Sequence, residues 1–423
     1  MTLLEEFGWR GLVYDSTEGL GEDLARASVT AYAGFDATGP SLHVGHLLPA
    51  LALARIQRLG HRPIALVGGG TGLIGDPSGK NVERNLLTLE QVAVYAEGIQ
   101  SQLSRLLDFS PGPASAQLVN NAEWLTTMTA MEFLRDVGKH FSVTAMLARD
   151  SVKRRINSEE GISYTEFSYS LMQAYDFLKL HDRFQCTLQL GGSDQWGNIV
   201  SGTDLIRRLR GAKAHGLVMP LLTTASGTKF GKTESGAVWL DPERTSPYTF
   251  YQFWLTSDDA DVVRYLKFFT FLDRETIADA ERTVTTAPEQ RAAQRLLAQE
   301  VTRLVHGADQ LARAERATAA LFSDDLTALP VEDALAAFAD APSTDLPAGD
   351  FGGEGAAVVD LLSRVGLAPS KSEARRLVQG GGVSVNNRRV ADPSARLTLA
   401  DSIGGRLFVL KKGRQHQHVL KLV

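Results

Sequence analysis

The chain of 423 residues holds a single cysteine, Cys186. An internal disulfide framework is excluded, and a cysteine-rich metal site is not expected. Long apolar runs are missing too: no stretch approaches the ~18–20 consecutive apolar residues that span a bilayer. The opening MTLLEEFGWR is acidic and lacks a basic segment leading into an apolar core, so no secretory leader is expected. Nor is there a signature of global disorder, since 43% of the residues are hydrophobic and the net charge is only −5. The expectation is a soluble, cytoplasmic protein with two or three cored domains.

The small net charge hides an asymmetry. From Ala356 to the end there are 12 Lys and Arg against 4 Asp and Glu, a local +8. The remainder carries 32 positive and 45 negative residues, or −13 (44 − 12 and 49 − 4). A basic tail on an acidic body suggests a polyanionic partner touched by one part of the chain.

Hydrophobic patterning organises the first half. Thr30–Asp36 reads as a strand, Val44–Leu59 as a helix ended by Gly60, and Arg62–Gly68 as a fully apolar strand of the kind found inside a parallel sheet. Strand, helix and strand in about forty residues make a βαβ unit and predict a doubly wound α/β domain. Helical patterns follow over Leu89–Leu107, Met131–Leu147 and Glu166–Leu180. Leu188–Gly192 reads as a strand entering a glycine turn, and Asp194–Arg210 as the next helix. The expected fold class is a Rossmann-like, doubly wound parallel-sheet domain over 1–245. An α-helical domain over 246–322 follows, then an acidic Pro/Gly-rich linker over 323–353 and a small basic α+β domain over 354–423.

Three glycine patterns invite a nucleotide reading. Gly70-Thr-Gly72-Leu-Ile-Gly75 fits G-x-G-x-x-G after a strand, but it runs into Asp76-Pro77 instead of opening a helix. The ordinary reading is a strand-to-loop turn whose backbone approaches something closely. Gly79-Lys80 and Gly231-Lys232-Thr233 resemble the end of a phosphate loop, but neither has the second glycine in register. Their lysines remain usable as point charges toward phosphate.

His43-Val-Gly-His46 stands where a strand gives way to a helix. Metal ligation would need further ligands, and the chain offers no HExxH and no paired cysteines. A helix start favours anions, and Gly45 lets a bulky ligand press on the backbone, so two imidazole donors there would suit a phosphate chain. Tyr169, Gln173 and Asp176 stand at i, i+4 and i+7 on one helix face. That stripe could be a solvated face. Phe167, Leu171, Ala174 and Leu178 give the same helix an apolar side, so it is partly packed and could line a pocket.

These residues carry a resemblance. His43-Val-Gly-His46 resembles the first signature of class I aminoacyl-tRNA synthetases, and Lys229-Phe-Gly-Lys232-Thr233 resembles their second, the mobile lysine loop. Tyr32-Ala-Gly-Phe-Asp36, Gly72-Leu-Ile-Gly-Asp76-Pro-Ser-Gly79, Tyr169-Ser-Leu-Met-Gln173-Ala-Tyr-Asp176 and Gly191-Gly-Ser-Asp194-Gln195-Trp-Gly-Asn198 look like the bacterial-type tyrosine enzymes. The resemblance covers nearly the whole chain. It implies activation of L-tyrosine by ATP to tyrosyl-adenylate and pyrophosphate, then transfer to the 3′ end of tRNA. It implies that His43, His46, Lys229 and Lys232 hold the leaving phosphates with Thr38, and that Lys80 and Arg84 close over them. Tyr169, Gln173 and Asp76 would hold the substrate ammonium, Tyr32 and Asp176 its phenol, and Asp36 and Gln195 the carboxylate and α-phosphate region. Gly192 and Asp194 would hold the ribose, while Gly34 and Gly45 leave room for the nucleotide. Mg²⁺ is expected with ATP, without a dedicated protein cage. A homodimer is expected from the resemblance alone.

Two departures stand out. Ala33 replaces the cysteine common after the binding-site tyrosine, which removes one ribose contact. Pro49 lies early in the first helix, where others carry threonine, and is tolerable near a helix start. In the basic tail, Asp360–Val378 reads as a helical pair and Gly380–Val390 as a hairpin turning at Asn386-Asn387. This resembles an S4 RNA-binding domain, in which Lys371, Arg375, Arg376, Arg388 and Lys411 would contact tRNA phosphates. The ordinary alternative is a merely soluble charged domain. Rival readings of the whole chain are a tryptophan-specific synthetase, a non-catalytic RNA-binding protein on the same scaffold, and a dinucleotide-dependent oxidoreductase.

Overall fold

The structure is a computed structural model that describes residues 1–78, 86–157, 161–225, 227, 230–233, 236–321, 324–339, 341–413 and 416–423. The side chains of residues 150, 151, 154, 232, 233 and 321 lie outside the description. The chain forms two compact units, Met1–Arg244 with Thr256–Leu297, and Thr245–Leu255 with Ala298–Val423.

In the first unit a six-stranded sheet is built from β1 (Asp15–Ser16), β2 (Thr30–Asp36), β3 (Arg62–Gly68), β4 (Gln117–Asn120), β5 (Cys186–Gly192) and β6 (His215–Met219). Its order is β1-β6-β5-β2-β3-β4, and β1 pairs antiparallel with β6 while the other pairings are parallel. The apolar runs of β2 and β3 reflect burial on both faces. Tyr32 lies opposite Ile64 on one side and Gln189 on the other. At β2 the strand order reverses: the chain proceeds outward to β3 and β4, then returns to place β5 and β6 on the opposite flank. The crevice beyond the carboxyl ends at such a reversal is where open α/β sheets bind ligands.

Helices Tyr164–Phe184 and Trp196–Arg210 cross closely over this sheet. A Cβ on Gly202 would lie 2.8 Å from the Phe177 ring, so glycine sets their separation. Phe177, Leu178 and Leu180 share a core with Ile64, Leu66, Leu205 and Ile206. By the ~25 cal/mol per Å² of apolar burial, each such side chain stabilises by about 1.5–3 kcal/mol.

Residues 131–147 are not the single helix their pattern predicts. Helical turns over Phe133–Val137 and Gly138–His140 end at Phe141, which is extended, and Ser142 caps a separate helix, Val143–Leu147. Nor do residues 246–322 form a domain of their own. Helices Asp259–Phe269 and Arg274–Thr286 belong to the first unit, whereas Pro247–Leu255 and Ala308–Leu321 belong to the second. The reason lies partly in two buried arginines, Arg10 and Arg55, whose guanidiniums bind carbonyls at the end of Asp259–Phe269. A two-stranded ribbon, β7 (Lys232–Thr233) with β8 (Gly236–Ala237), completes the first unit's strands.

The second unit holds a five-stranded sheet of β9 (Ser343–Leu346), β11 (Val383–Val385), β12 (Arg388–Val390), β14 (Leu407–Lys412) and β15 (His416–Leu422), in the order β12-β11-β14-β15-β9. The small pair β10 (Ala356–Ala357) and β13 (Arg396–Leu397) sits apart from it. Helices Val358–Arg364 and Lys371–Gln379 form the expected pair. Asn386 and Asn387 turn the β11–β12 hairpin with φ of 48° and 67°, as a two-residue hairpin turn requires.

The acidic linker is the clearest correction. β9 pairs in parallel with β15, and a short helix forms over Val331–Ala337. Leu326, Ala334 and Phe338 pack with Ile403, Leu407 and Val419, while Leu346 and Phe351 join Phe408, Leu410 and Leu420. These apolar residues are isolated among Asp, Pro and Gly, so they show no period, yet they fill the faces of the sheet. A fragment starting at residue 324 is therefore expected to unfold in urea with several kcal/mol more stability than one starting at 354, whose sheet lacks β9. Equal unfolding free energies would contradict this assignment.

Candidate active site

The carboxyl ends of β2, β3, β4 and β5 deliver polar side chains to one crevice. Asp36 ends β2. Its Oδ1 accepts from Thr71 Oγ1 at 2.6 Å and its Oδ2 from the Tyr169 phenol at 2.7 Å. Asn121, just past β4, donates to Thr71 Oγ1 and to Asp176 Oδ2, each at 2.9 Å. Asp176 Oδ1 accepts from Trp124 Nε1 at 2.7 Å. Two carboxylates from distant segments are thus joined through Thr71 and Asn121.

A second chain of contacts lies beside it. Gln195 donates to Asp76 Oδ2, Gln173 donates to Gln195 at 3.2 Å, and Asn198 donates to Gln173 at 3.0 Å. The three polar residues expected on one face of Tyr164–Phe184 therefore do not lie on a solvated face. Tyr169 and Asp176 are 5% and 2% exposed, and Gln173 is half-buried.

Electrostatics follow from that burial. The Asp176 carboxyl is pushed up to about 7, by burial first, against the lowering donors Asn121 and Trp124. Burial also drives the Tyr32 phenol well above its ordinary value, with the Asp176 charge adding to it. Tyr169 is raised by burial and by the charges of Asp36 and Asp76. Both phenols are therefore held protonated. Tyr32 Oη is buried without a hydrogen-bond partner, its ring packed 5.2 Å from that of Phe177. A polar group left so costs on the order of 1–3 kcal/mol unless something arrives to pair with it.

The histidines occupy the N-terminus of helix Val44–Arg58. His43 is the N-cap, and its Nδ1 accepts from Gly45 N at 3.0 Å. His46 Nδ1 accepts from His43 N at 3.3 Å, and the rings stack at 3.9 Å. With Nδ1 accepting in each, the neutral rings carry their protons on Nε2. A Cβ on Gly45 would fall 2.7 Å from the His43 ring, so any larger residue there would displace that ring from its cap. Pro49 sits inside this helix without ending it.

The other expected nucleotide residues gather at the same edge. Gly34 is the exposed position of an otherwise buried β2, and a Cβ there would meet nothing within 4 Å. Thr38 N bonds Asp36 O at 2.8 Å. Gly192 ends β5, and exposed Asp194 follows in a 3₁₀ turn. The G-x-G-x-x-G stretch is a 3₁₀ turn over Thr71–Leu73, and a Cβ on Gly72 would press on the Ala37 backbone at 3.3 Å. Lys80, Arg84 and Lys229 lie outside the described residues, as does the Lys232 side chain, whose backbone forms β7.

Thr71, Asn121 and Trp124 carry no role in the sequence reading, and only the fold brings them to Asp36 and Asp176. Asn198 enters that reading only at the end of the Gly191–Asn198 motif, and it bonds Gln173.

The basic residues of the second unit are partly engaged. Lys371 pairs with Asp360 at 2.8 Å, Arg376 with Glu373 at 3.8 Å, and Arg388 with Asp325. Lys411 is half-buried over the Phe338 ring, and burial lowers its amine. Arg375 is exposed on helix Lys371–Gln379. Arg389, passed over in the sequence, faces Lys411 across Ser384 of β11.

Comparison with known proteins agrees with this geometry. Residues 24–323 match the family described as tRNA synthetases class I (W and Y). Residues 334–420 match a domain described as tyrosine–tRNA ligase SYY-like C-terminal. A tyrosine–tRNA ligase of Roseiflexus castenholzii is 58% identical over 422 residues, 100% of each chain. One of Geobacillus stearothermophilus is 50% identical over 424 residues, again 100% of each. Among solved structures, a C-terminally truncated mitochondrial tyrosyl-tRNA synthetase of Aspergillus nidulans aligns at a TM-score of 0.69 and 32% identity, covering 76% of this chain and 94% of that one. The chain belongs to the class I tRNA synthetases of the tryptophan and tyrosine group, within their tyrosine–tRNA ligase branch.

Proposed function

We propose that the crevice at β2 and β5 binds L-tyrosine and ATP, and that the protein charges tRNA with tyrosine in two steps. One observation carries the choice of amino acid: the buried Tyr32 hydroxyl, without a partner, near a buried Asp176 carboxyl. A substrate phenol would accept from Tyr32 and donate to Asp176. Phenylalanine would leave the Tyr32 hydroxyl unpaired and bring Asp176 no donor, and the tyrosine enzymes are the standard illustration of how strongly such sites discriminate. An indole has no oxygen to accept from Tyr32, which disfavours the tryptophan reading. The ammonium would sit by Asp76, Gln173 and the Tyr169 oxygen, whose proton is already given to Asp36.

In the first step a tyrosine carboxylate oxygen bonds to the α-phosphorus of ATP as the bond to the pyrophosphate oxygen breaks. No protein nucleophile is needed, so positioning and charge stabilisation do the work. His43 and His46 would donate from Nε2 to the phosphates, with Thr38, Lys80, Arg84, Lys229 and Lys232 adding donors and charge. Gly34, Gly192 and Asp194 would seat the nucleoside, and Asp36 and Gln195 the reacting carboxylate. Among the described residues no cluster of three acidic, His or Cys side chains could hold a metal. Mg²⁺ would enter as part of the ATP substrate. In the second step a hydroxyl of the terminal tRNA ribose attacks the tyrosyl carbonyl and AMP leaves.

The second unit would dock tRNA through Lys371, Arg375, Arg376, Arg388, Arg389 and Lys411. The first unit would form a homodimer, supported by exposed Met131, Leu134, Val143, Leu147, Ile156 and Tyr164, which cluster in one stretch of chain. Among the described residues no helix is long and apolar enough to cross a membrane. Use of ATP and tRNA would fit a cytoplasmic location.

Three experiments test this reading. Pyrophosphate exchange should depend on tyrosine and not on tryptophan or phenylalanine. In the same assay, His46→Ala should cut adenylate formation by roughly 10²-fold with tyrosine binding retained, while Arg375→Glu with Arg376→Glu should depress tRNA charging alone. Exchange driven by tryptophan, or charging that follows exchange downward in the arginine pair, would reject the assignments.

Tyrosine should bind more tightly as pH rises through about 7, because its phenol donates to the ionised form of Asp176. The free protein runs the other way. Its folded Asp176 carboxyl lies above the ordinary value, so this group's stabilising share is full below about pH 4 and is lost as pH climbs through about 7. Calorimetry in two buffers near that pH should register proton release on binding, and a pH-independent affinity would count against it. Finally, Val143→Asp with Leu147→Asp should yield monomers in sedimentation experiments. An unchanged dimer would move the interface elsewhere.

A further inference from the structure

The two signature segments lie nearly two hundred residues apart, and the structure shows what holds the second. Phe230, between the two lysines of Lys229-Phe-Gly-Lys232, is 6% exposed. Its ring stacks on Phe269 at 5.4 Å and tilts against Tyr265 at 4.9 Å. Both partners stand on helix Asp259–Phe269, four residues apart on one face.

The same helix grips the approach to this segment. Asp261 Oδ2 accepts from Ala225 N at 2.9 Å, and Arg264 donates to Thr223 O. Immediately after Phe230 the chain meets the histidine helix. Gly231 has φ of +78°, and a Cβ there would stand 2.6 Å from Val44 Cγ2. Val44 N bonds Val238 O at 3.0 Å, and Val238 N bonds Gly231 O at 3.2 Å.

The far end of helix Asp259–Phe269 is tied to the histidine helix as well. Arg55, 1% exposed and two and a half turns beyond His46, donates through Nη2 to the carbonyls of Lys267, Phe268 and Thr270 at 3.3, 2.7 and 2.8 Å. Its Nε and Nη1 have no hydrogen-bond partner. Arg10 doubles the clamp on Lys267 and Thr270, steadied by Glu6.

We propose that helix Asp259–Phe269 is a bracket that registers the lysine segment against the histidine helix, with Phe230 as its seated anchor and Arg55 as the positioning residue that fixes the bracket. The inference rests on the reading of the site given above. Neither residue is assigned contact with substrate. They act by holding the phosphate-binding segment in place, where a misplacement of about 1 Å can cost on the order of 10²-fold in rate.

The test uses the full chain with Phe230→Ala, Phe230→Tyr, Phe269→Leu and Arg55→Lys. Tyrosine affinity, thermal midpoint, and kcat and KM for ATP in pyrophosphate exchange are read for each. The expectation is a loss of roughly ten- to a hundredfold in kcat/KM for ATP in Phe230→Ala. Phe269→Leu and Arg55→Lys should show smaller losses of the same kind, and Phe230→Tyr should restore most of the activity. Tyrosine affinity should stay within about twofold throughout. Wild-type ATP kinetics in Phe230→Ala would overturn the bracket, and so would tyrosine affinity and exchange falling in parallel. Absence of tyrosine-dependent exchange from the unaltered protein would instead overturn the functional reading on which the bracket rests.

Discussion

The parallel register of β2 between β3 and β5 constrains everything at the site. A parallel ladder aligns the carboxyl ends of neighbouring strands, so each strand releases its loop on the same side. Asp36 emerges from β2, the Gly68–Asp76 turn from β3, Asn121 from β4 and the Gly192–Asn198 turn from β5. Residues separated by more than a hundred positions meet because four strands end together. The pairing of Tyr32 with Gln189 and Ile64 also decides which face its phenol takes. A slip of one residue would turn it to the other face of the sheet.

That placement has a thermodynamic cost, and the hydrogen bonds around the acids show how it is contained. Asp176 is buried yet receives donors on both oxygens, and Asp36 is bonded by Thr71 and Tyr169. Buried carboxylates held by several donors persist where an isolated one would not. Tyr32 Oη has no such relief. A site that leaves one donor unmet beside an acceptor with capacity to spare is less stable empty than filled, as binding sites often are relative to the rest of a fold.

The sequence was most legible where a period or a named turn residue governed the backbone. Thr30–Asp36 and Arg62–Gly68 are strands as read, and the Asn386-Asn387 turn took the left-handed backbone that its residues favour. The stripe Tyr169, Gln173 and Asp176 read as part of a packed helix because that helix had an apolar side, and none of the three is exposed. Thr71, Asn121 and Trp124 were illegible, since nothing local marks a residue whose role is to reach across strands. Residues 323–353 misled for the opposite reason. Composition there argued for a linker, but Leu326, Phe338, Leu346 and Phe351 are single anchors, and tertiary packing can hold such a segment without any local period. The helical stretch 246–322 had its period read correctly and its allegiance missed, because a helix's sequence does not say which neighbour covers it.

Arg55 fixes a helix where an apolar side chain could only pack against it. A buried guanidinium is a costly way to fill space, and burial pulls it down to about 9. An apolar side chain of similar volume would often serve stability as well or better. What an apolar contact cannot do is fix a helix in rotation and translation at once, because dispersion is non-directional and tolerates sliding. Three carbonyls at a helix C-terminus carry partial negative charge and point in defined directions, so a planar donor bound to all three admits one arrangement. The helix so fixed carries Tyr265 and Phe269, and with them the seat of Phe230. A reaction that relies on placing phosphates between two distant segments needs that directional constraint more than it needs a better-packed core.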